Sequence, residues 1–163
     1  MHGKNAYAID LEFAQEYRGL MYYLEDDATA TSFASSSVAG MSLQCAYEMF
    51  RRDDDVELLV EARRILREGA KLVITPLYMH THYCAYATPE FWGRGYSDHE
   101  AEEYIRLDCK GIPSSRKYDV PMLKERVLDT LTGLGMKYQL FVLRKKERIG
   151  RKIYCHFILS VTK

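Results

Sequence analysis

Side chains able to accept protons, hold cations or bind polar ligands gather in this chain at the ends of short apolar runs. Ala6 to Asp10 (AYAID) ends in a carboxylate, and Met21 to Leu24 leads into Glu25, Asp26 and Asp27. The run Leu72, Val73 and Ile74 leads through Pro76 to Tyr78, His80 and His82. Uninterrupted apolar runs suit strands covered on both faces, and in open α/β sheets the ligand crevice lies beyond the carboxyl ends of the strands. The segment Thr75 to His82 is therefore the first place to look for chemistry. His80 and His82 alternate, with Cys84 close behind, as a strand-borne metal pair would. Zinc takes three or four ligands at fixed distance, and no further spacing specifies them, so no metal site is expected. The spacing favours a substrate-facing acid or base over a metal, because neutral imidazole accepts a proton at physiological pH, and the plainer reading as solvated loop histidines is favoured over both.

Other chemistry-bearing groups have plainer readings. Tyr78, Tyr83, Tyr86, Phe91 and Trp92 either wall a substrate pocket or fill a core, and core is favoured. Arg144, Lys145, Lys146, Arg148, Arg151 and Lys152 form a basic cluster suited to a phosphate, yet hairpin tips are commonly charged to discourage edge pairing, and the tip reading is favoured. Cys45, Cys84, Cys109 and Cys155 are far apart with no CxxC pair, which argues against a structural zinc site or a disulfide scaffold.

The elements that must position these groups are best marked between Asp53 and Met79. Asp53, Asp54 and Asp55 start a helix where free N–H groups and the dipole favour negative charge, and Arg63, Arg64 and Arg67 sit at its other end. Leu58, Leu59, Ala62, Ile65 and Leu66 form one apolar face, Gly69 stands where a left-handed stop is expected, and Pro76 ends the strand that follows. Upstream, Leu11 to Leu20 fits a short helix with Phe13 and Tyr17 on one face, and Val38 to Leu43 fits a strand. Downstream, His80 to Tyr96 fits an ordered aromatic loop, and Ser97 with Glu100 opens a helix through Leu107. Asp119 caps a helix carrying Leu123, Val127, Leu128 and Leu131, closed by Gly133 and Gly135. Tyr138 to Leu143 and Ile153 to Val161 fit an antiparallel hairpin.

Composition sets outer bounds. The 163 residues suffice for one domain with a sizeable core, and 23 basic residues balance 23 acidic ones, so no global field draws the chain to nucleic acid or an anionic membrane. No apolar run approaches the roughly 20 residues of a membrane span, and no signal-peptide core is present. A cytoplasmic protein with reduced thiols is expected.

The order of parallel strand and helix units followed by a terminal hairpin resembles the C-terminal two-thirds to three-quarters of class I S-adenosylmethionine-dependent methyltransferases. Asp10 stands where that family has the acid ending its second strand, which accepts from the ribose hydroxyls. Asp27 and Ala28 resemble the acid and small residue after the third strand, where the carboxylate takes the adenine amino group. SVAGMSLQCAYEMF resembles the fourth strand and its lead-in, placing Leu43, Gln44 and Cys45 near the methionine part of the cofactor. ARRILREGAKLVITPLY resembles the helix and fifth strand. The resemblance implies a single methyltransferase-like domain over residues 1–163, incomplete at its N-terminus. Its fold is α/β, a truncated Rossmann-like methyltransferase fold with a mostly parallel sheet, flanking helices and a C-terminal antiparallel hairpin. It implies S-adenosylmethionine as cofactor, held by Asp10, Asp27, Ala28, Gln44 and Cys45, and methyl transfer to an oxygen or nitrogen acceptor met by Tyr78, His80 and His82.

The chain departs from the family in two places. Nothing N-terminal to Asp10 supplies the family's first strand and glycine-rich turn, and Ala39 replaces an acid common before the fourth strand. In the family's strand order the first strand lies between the second and fourth. Its loss leaves three solutions: those two strands close on each other, another chain covers them, or the chain is a fragment. The middle solution underlies the alternative function, a non-catalytic interaction subunit that pairs through exposed strand edges as a homodimer or with a partner.

Overall fold

The computed structural model describes residues 5–11, 16–18, 21–148, 150 and 153–163. Strands β1 (Ala6–Asp10), β2 (Glu16–Arg18) and β3 (Met21–Glu25) form a sheet in the order β1-β3-β2. Next come β4 (Val38–Gln44), a 3₁₀ turn at Tyr47–Met49, helix α1 (Asp54–Ile65) and β5 (Leu66–Leu77). A small sheet follows in the order β7-β6-β8, made of β6 (Cys84–Ala87), β7 (Glu102–Ile105) and β8 (Ser115–Lys117). Helix α2 (residues 120–133, wound as a π-helix over Leu123–Asp129) leads to the hairpin β9 (Lys137–Val142) and β10 (Phe157–Thr162). The hairpin joins the largest sheet, whose order is β4-β5-β10-β9.

Helix α1 and strand β5 follow the sequence pattern with three shifts. Leu58, Leu59, Ala62 and Ile65 are buried, as the apolar face requires, but the helix ends at Ile65 and Leu66 is already extended. Gly69 has the expected positive φ of 75°, yet it serves a bulge in β5 instead of a helix stop. Val38 pairs with Leu66 and Gly40 with Lys71, so the extra β5 residues loop out where only a left-handed residue fits easily. Gly69 N–H donates to the Lys163 carbonyl at 2.9 Å, tying the bulge to the last residue described. Pro76 continues the strand instead of ending it. The β10 register slips between Leu159↔Ile74 and Phe157↔Leu77, which leaves Pro76 out of the ladder where its missing N–H is tolerated.

Helix α2 is capped as expected. The Asp119 carboxylate accepts from Met122 N–H at 2.9 Å, Leu123, Val127 and Leu131 are buried, and Gly135 closes the end at φ 69°. The hairpin also forms, paired from Lys137↔Thr162 to Val142↔Phe157.

Three expectations fail, each because long-range pairing overrides a local pattern. Within Leu11 to Leu20, Glu16–Arg18 is a strand on the edge of β3, not helix; Phe13 and Gly19 lie outside the described residues. Between Ser97 and Leu107, Glu102–Ile105 pairs parallel to β6, and Ser97 Oγ donates to the Glu103 carboxylate at 2.7 Å instead of capping a helix. The same β6 lies inside the aromatic stretch expected to be loop throughout. The ladders are correspondingly mixed: three parallel and four antiparallel among the described residues, against the mostly parallel sheet expected. Strands β1 and β4 do not close on each other; each has a ladder on one edge only among the described residues.

Between these sheets and helices lies a charged network. Asp55 is fully buried and receives Arg116 and Arg126, the latter at 2.6 Å. Arg116, 1% exposed, also binds the Asp98 carboxylate through Nε and Nη2, both at 2.7 Å. Tyr118 donates its hydroxyl to Asp55, and Tyr83 donates to Asp98. Both guanidiniums also donate to the Arg52 carbonyl, holding that non-glycine residue at φ 47° just before α1. Burial alone would raise the Asp55 carboxyl, but hydrogen bonds from Arg126 and Tyr118 and the charge of Arg116 outweigh it and hold the group below its ordinary range. Its contribution to stability is thus whole above that range and is lost as pH falls through the depressed value. Removing one member of a buried charge set leaves the others uncompensated. Asp55→Asn is expected to cost about 3–5 kcal/mol in denaturant titrations near neutral pH, and its stability should fall less steeply than the parent's as the solution is acidified.

Candidate functional site

The carboxylates named from sequence stand where expected, at the ends of β1 and β3. Asp10 pairs with Glu25, and its carbonyl accepts from Asp26 N–H at 3.1 Å, which holds the two strand ends together. Asp27 Oδ1 accepts from the Thr29 N–H and hydroxyl, both at 2.8 Å, so a local turn fixes its direction. Ala28 packs against the core. Asp26, not singled out from sequence, is also anchored: it accepts from Ser32 N–H and Oγ at 2.9 and 2.7 Å. Burial would raise its carboxyl, but these bonds and one from Asp27 N–H prevail and hold it low.

A second group lies at the ends of β4 and β5. Gln44 pairs with Thr75, the last register position of that ladder. Cys45 follows at φ 51°, its N–H donating to the Thr75 carbonyl at 3.1 Å and its Sγ lying 3.1 Å from the Tyr154 hydroxyl. Non-glycine residues at positive φ are uncommon, and such strain concentrates at functional turns. Glu48, in the 3₁₀ turn, is 7% exposed, and its Oε2 has no hydrogen-bond partner among the described residues. Burial pushes its carboxyl up, with Lys117 opposing. Tyr78 is raised too, first by burial and then by the charges of Glu48 and Cys45.

The third group continues from Tyr78. The Tyr78 carbonyl accepts from Tyr118 N–H at 3.0 Å and His80 N–H donates to the Tyr118 carbonyl at 2.7 Å, so the segment leaving β5 runs beside the end of β8. His80, His82 and Cys84 each present a ligand atom, and the three lie within 4.8 Å of one another. The Lys117 ammonium sits over the Tyr78 and Tyr86 rings, 4.8 and 4.9 Å from their centroids. Burial lowers its pKa. Tyr83 is core, Tyr78 and Tyr86 flank the lysine, and Trp92 is exposed, so the aromatic set divides between the core and wall readings.

The structure thus brings Gln44, Cys45 and Tyr78 together at adjoining strand ends, with His80 and His82 just beyond, and keeps Asp10 and Asp27 on the separate first sheet. Sequence reasoning missed Glu48 and Lys117. For Glu48 the signal was an acid inside the run CAYEMF, flanked by Tyr47 and Phe50; for Lys117 none existed, because only pairing with β6 places it. Of the basic cluster, Lys146–Arg148 forms a 3₁₀ turn near the hairpin tip, while Arg151 and Lys152 lie outside the described residues. No helix among the described residues is long and apolar enough to cross a membrane.

No protein-family model matches the chain, and no curated protein matches it. Solved structures do. An S-adenosylmethionine-dependent methyltransferase from Mesorhizobium loti is 13% identical, with 99% of this chain and 82% of that one covered at a TM-score of 0.58. A Methanosarcina mazei S-adenosylmethionine-dependent methyltransferase is 15% identical, with 91% and 70% covered at 0.53. The 1,6-didemethyltoxoflavin-N1-methyltransferase of Burkholderia thailandensis, solved with S-adenosylhomocysteine, is 14% identical, with 99% and 62% covered at 0.56. The chain therefore has the α/β, Rossmann-like fold of class I S-adenosylmethionine-dependent methyltransferases and spans 62% to 82% of the length of these three.

A carboxyl whose pKa is raised on folding weakens the fold once pH exceeds its ordinary range, because the unfolded chain ionises first. Glu48→Gln is accordingly expected to stabilise the protein at neutral pH and to lose that advantage below the ordinary carboxylate range, as read from thermal unfolding across pH.

Proposed function

We propose that this chain is a methyltransferase-like domain that binds S-adenosylmethionine and transfers its methyl group to an oxygen or nitrogen acceptor. The observation that supports this reading most is the coincidence of fold and site: over a methyltransferase-like frame, the chemistry-bearing residues fall at the carboxyl ends of β1, β3, β4 and β5. Asp10 and Asp27 are acceptors suited to the hydroxyl and amino donors of an adenosine. Gln44 and Cys45, at the strained turn after β4, address the methionine part. Tyr78, His80 and His82 face the acceptor side. The fit has one open part. Among the described residues Gly40 is the first glycine and lies inside β4, so those residues supply no glycine-rich turn to approach the amino-acid moiety.

When bound, the cofactor supplies an electrophilic methyl on a sulfonium for in-line displacement by the acceptor's lone pair. This chain's residues then hold the acceptor in line and exclude water, which carries most of the rate. Ionised Glu48, whose Oε2 has no hydrogen-bond partner among the described residues and whose proton affinity burial raises, is the group assigned to take the acceptor's proton.

The edges of β1 and β4 that carry no ladder among the described residues support a second reading, a non-catalytic subunit that pairs with a copy of itself or another protein through those edges. For that reading, a strictly monomeric species by light scattering, with no co-purifying partner, is the adverse result.

Calorimetric titration with S-adenosylmethionine or its demethylated product is expected to show one site in the micromolar range. No heat at millimolar ligand overturns the enzyme reading. Glu48→Gln should bind the cofactor as the parent does and lose methyl transfer, whereas Asp10→Ala should weaken binding.

A further inference from the structure

The geometry points to a zinc-class cation site formed by His80, His82 and Cys84, independent of whether the chain transfers methyl groups. The three residues fall within HTHYC, where a bend at Thr81 and His82 after β5, before β6 begins at Cys84, turns the chain back on itself. Their ligand atoms already lie within 4.8 Å of one another. A tetrahedral zinc with nitrogen and sulfur ligands spaces them about 3.3–3.7 Å apart. Drawing them to that spacing takes about an ångström of side-chain adjustment.

Two features go beyond the mere proximity of three donors. The His82 Nε2 atom lies 2.9 Å from the Tyr104 hydroxyl and 3.5 Å from the Glu102 carboxylate, both on β7. A ligating histidine is typically oriented by an acceptor on its other ring nitrogen, and this pair leaves His82 Nδ1 for the cation. That Nδ1 and the Nδ1 of His80 both approach the Thr81 hydroxyl, at 3.3 and 3.4 Å, so the two imidazoles already aim a nitrogen at one region. Cys84 is fully buried at the start of β6, which fixes the sulfur relative to β7. One thiolate with two imidazoles is a borderline-soft set that selects zinc over magnesium or calcium. Its net charge of plus one with zinc is partly offset by Glu102. Three protein ligands leave a fourth position for water or a ligand heteroatom, just beyond the end of β5.

The test is metal binding by the whole chain after chelator stripping. Zinc competition against a chromophoric chelator should show one equivalent bound at micromolar Kd or tighter, with magnesium ineffective. Cobalt(II) should produce a thiolate charge-transfer band and the visible bands of a tetrahedral site. Cys84→Ser should abolish the charge-transfer band, and His80→Ala and His82→Ala should each weaken zinc at least tenfold while circular dichroism stays unchanged. Should Cys84→Ser fail to fold, the two histidine variants decide alone. No zinc at micromolar concentration, a charge-transfer band that survives Cys84→Ser, or unchanged affinity in either histidine variant overturns the site. None of these readouts involves S-adenosylmethionine, so failure of the methyltransferase reading leaves them intact.

Discussion

Asp55 carries a charge with no access to solvent, and the rest of the structure depends on how that charge is met. A lone buried carboxylate is too costly to keep ionised; this one persists because two guanidiniums and a phenol converge on it. Arg116 comes from β8, Arg126 from α2 and Tyr118 from the segment between them, while Asp55 belongs to the first turn of α1. None of these elements can move without stripping a partner from a buried charge. The same two arginines clamp the Arg52 carbonyl, so the approach to α1 is fixed by residues more than sixty positions away.

That lock reaches the candidate site through Tyr118. Its backbone N–H and carbonyl bracket the segment from Tyr78 to His80, and its neighbour Lys117 lies between the Tyr78 and Tyr86 rings. The polar groups beyond β5 are thus mounted on a rigid frame instead of a free loop, as positioning chemistry requires. Burial by this frame also raises Glu48 and lowers Lys117, the two directions expected when charged groups lose solvent. Each departs toward its neutral form, so that Glu48 holds a proton more tightly, and Lys117 less tightly, than in water.

What was legible in the sequence was what is local. The apolar face of α1, the Asp119 cap, the terminal hairpin and the acids after β1 and β3 each follow from spacing within a few residues. What was illegible depends on distant partners. Asp53, Asp54 and Asp55 look equivalent as helix-starting acids, and only the arrival of Arg116 and Arg126 separates Asp55 from the others; Asp53, as N-cap, makes no side-chain capping bond at all. Glu102 to Ile105 has a plausible helical start upstream, but β6 offers it an open edge, and a parallel ladder outweighs a weak local preference. The His80, His82 and Cys84 spacing was visible, yet its outer partners Tyr104 and Glu102 were hidden, because they become neighbours only through that same ladder.

The split between the first sheet and the largest one has its own physical trace. Strand β5, with a ladder on both edges, buries Leu72, Ile74 and Leu77, whereas β4, with a ladder on one edge, leaves Ala39, Gly40, Ser42 and Gln44 exposed. Exposure along a strand of this fold is unusual, since strands in parallel α/β sheets are covered on both faces. The two strands with one edge unpaired by a ladder among the described residues, β1 and β4, are also those ending at Asp10 and at the Gln44–Cys45 turn. The candidate contacts proposed for the two ends of one elongated cofactor therefore sit on two sheets that no ladder joins among the described residues. Binding across such a division would order the sheets relative to each other at an entropic cost, and a strand added to either edge would change that cost before it touched the ligand. Under the proposed reading, occupancy of the edges and affinity for S-adenosylmethionine would for that reason be coupled.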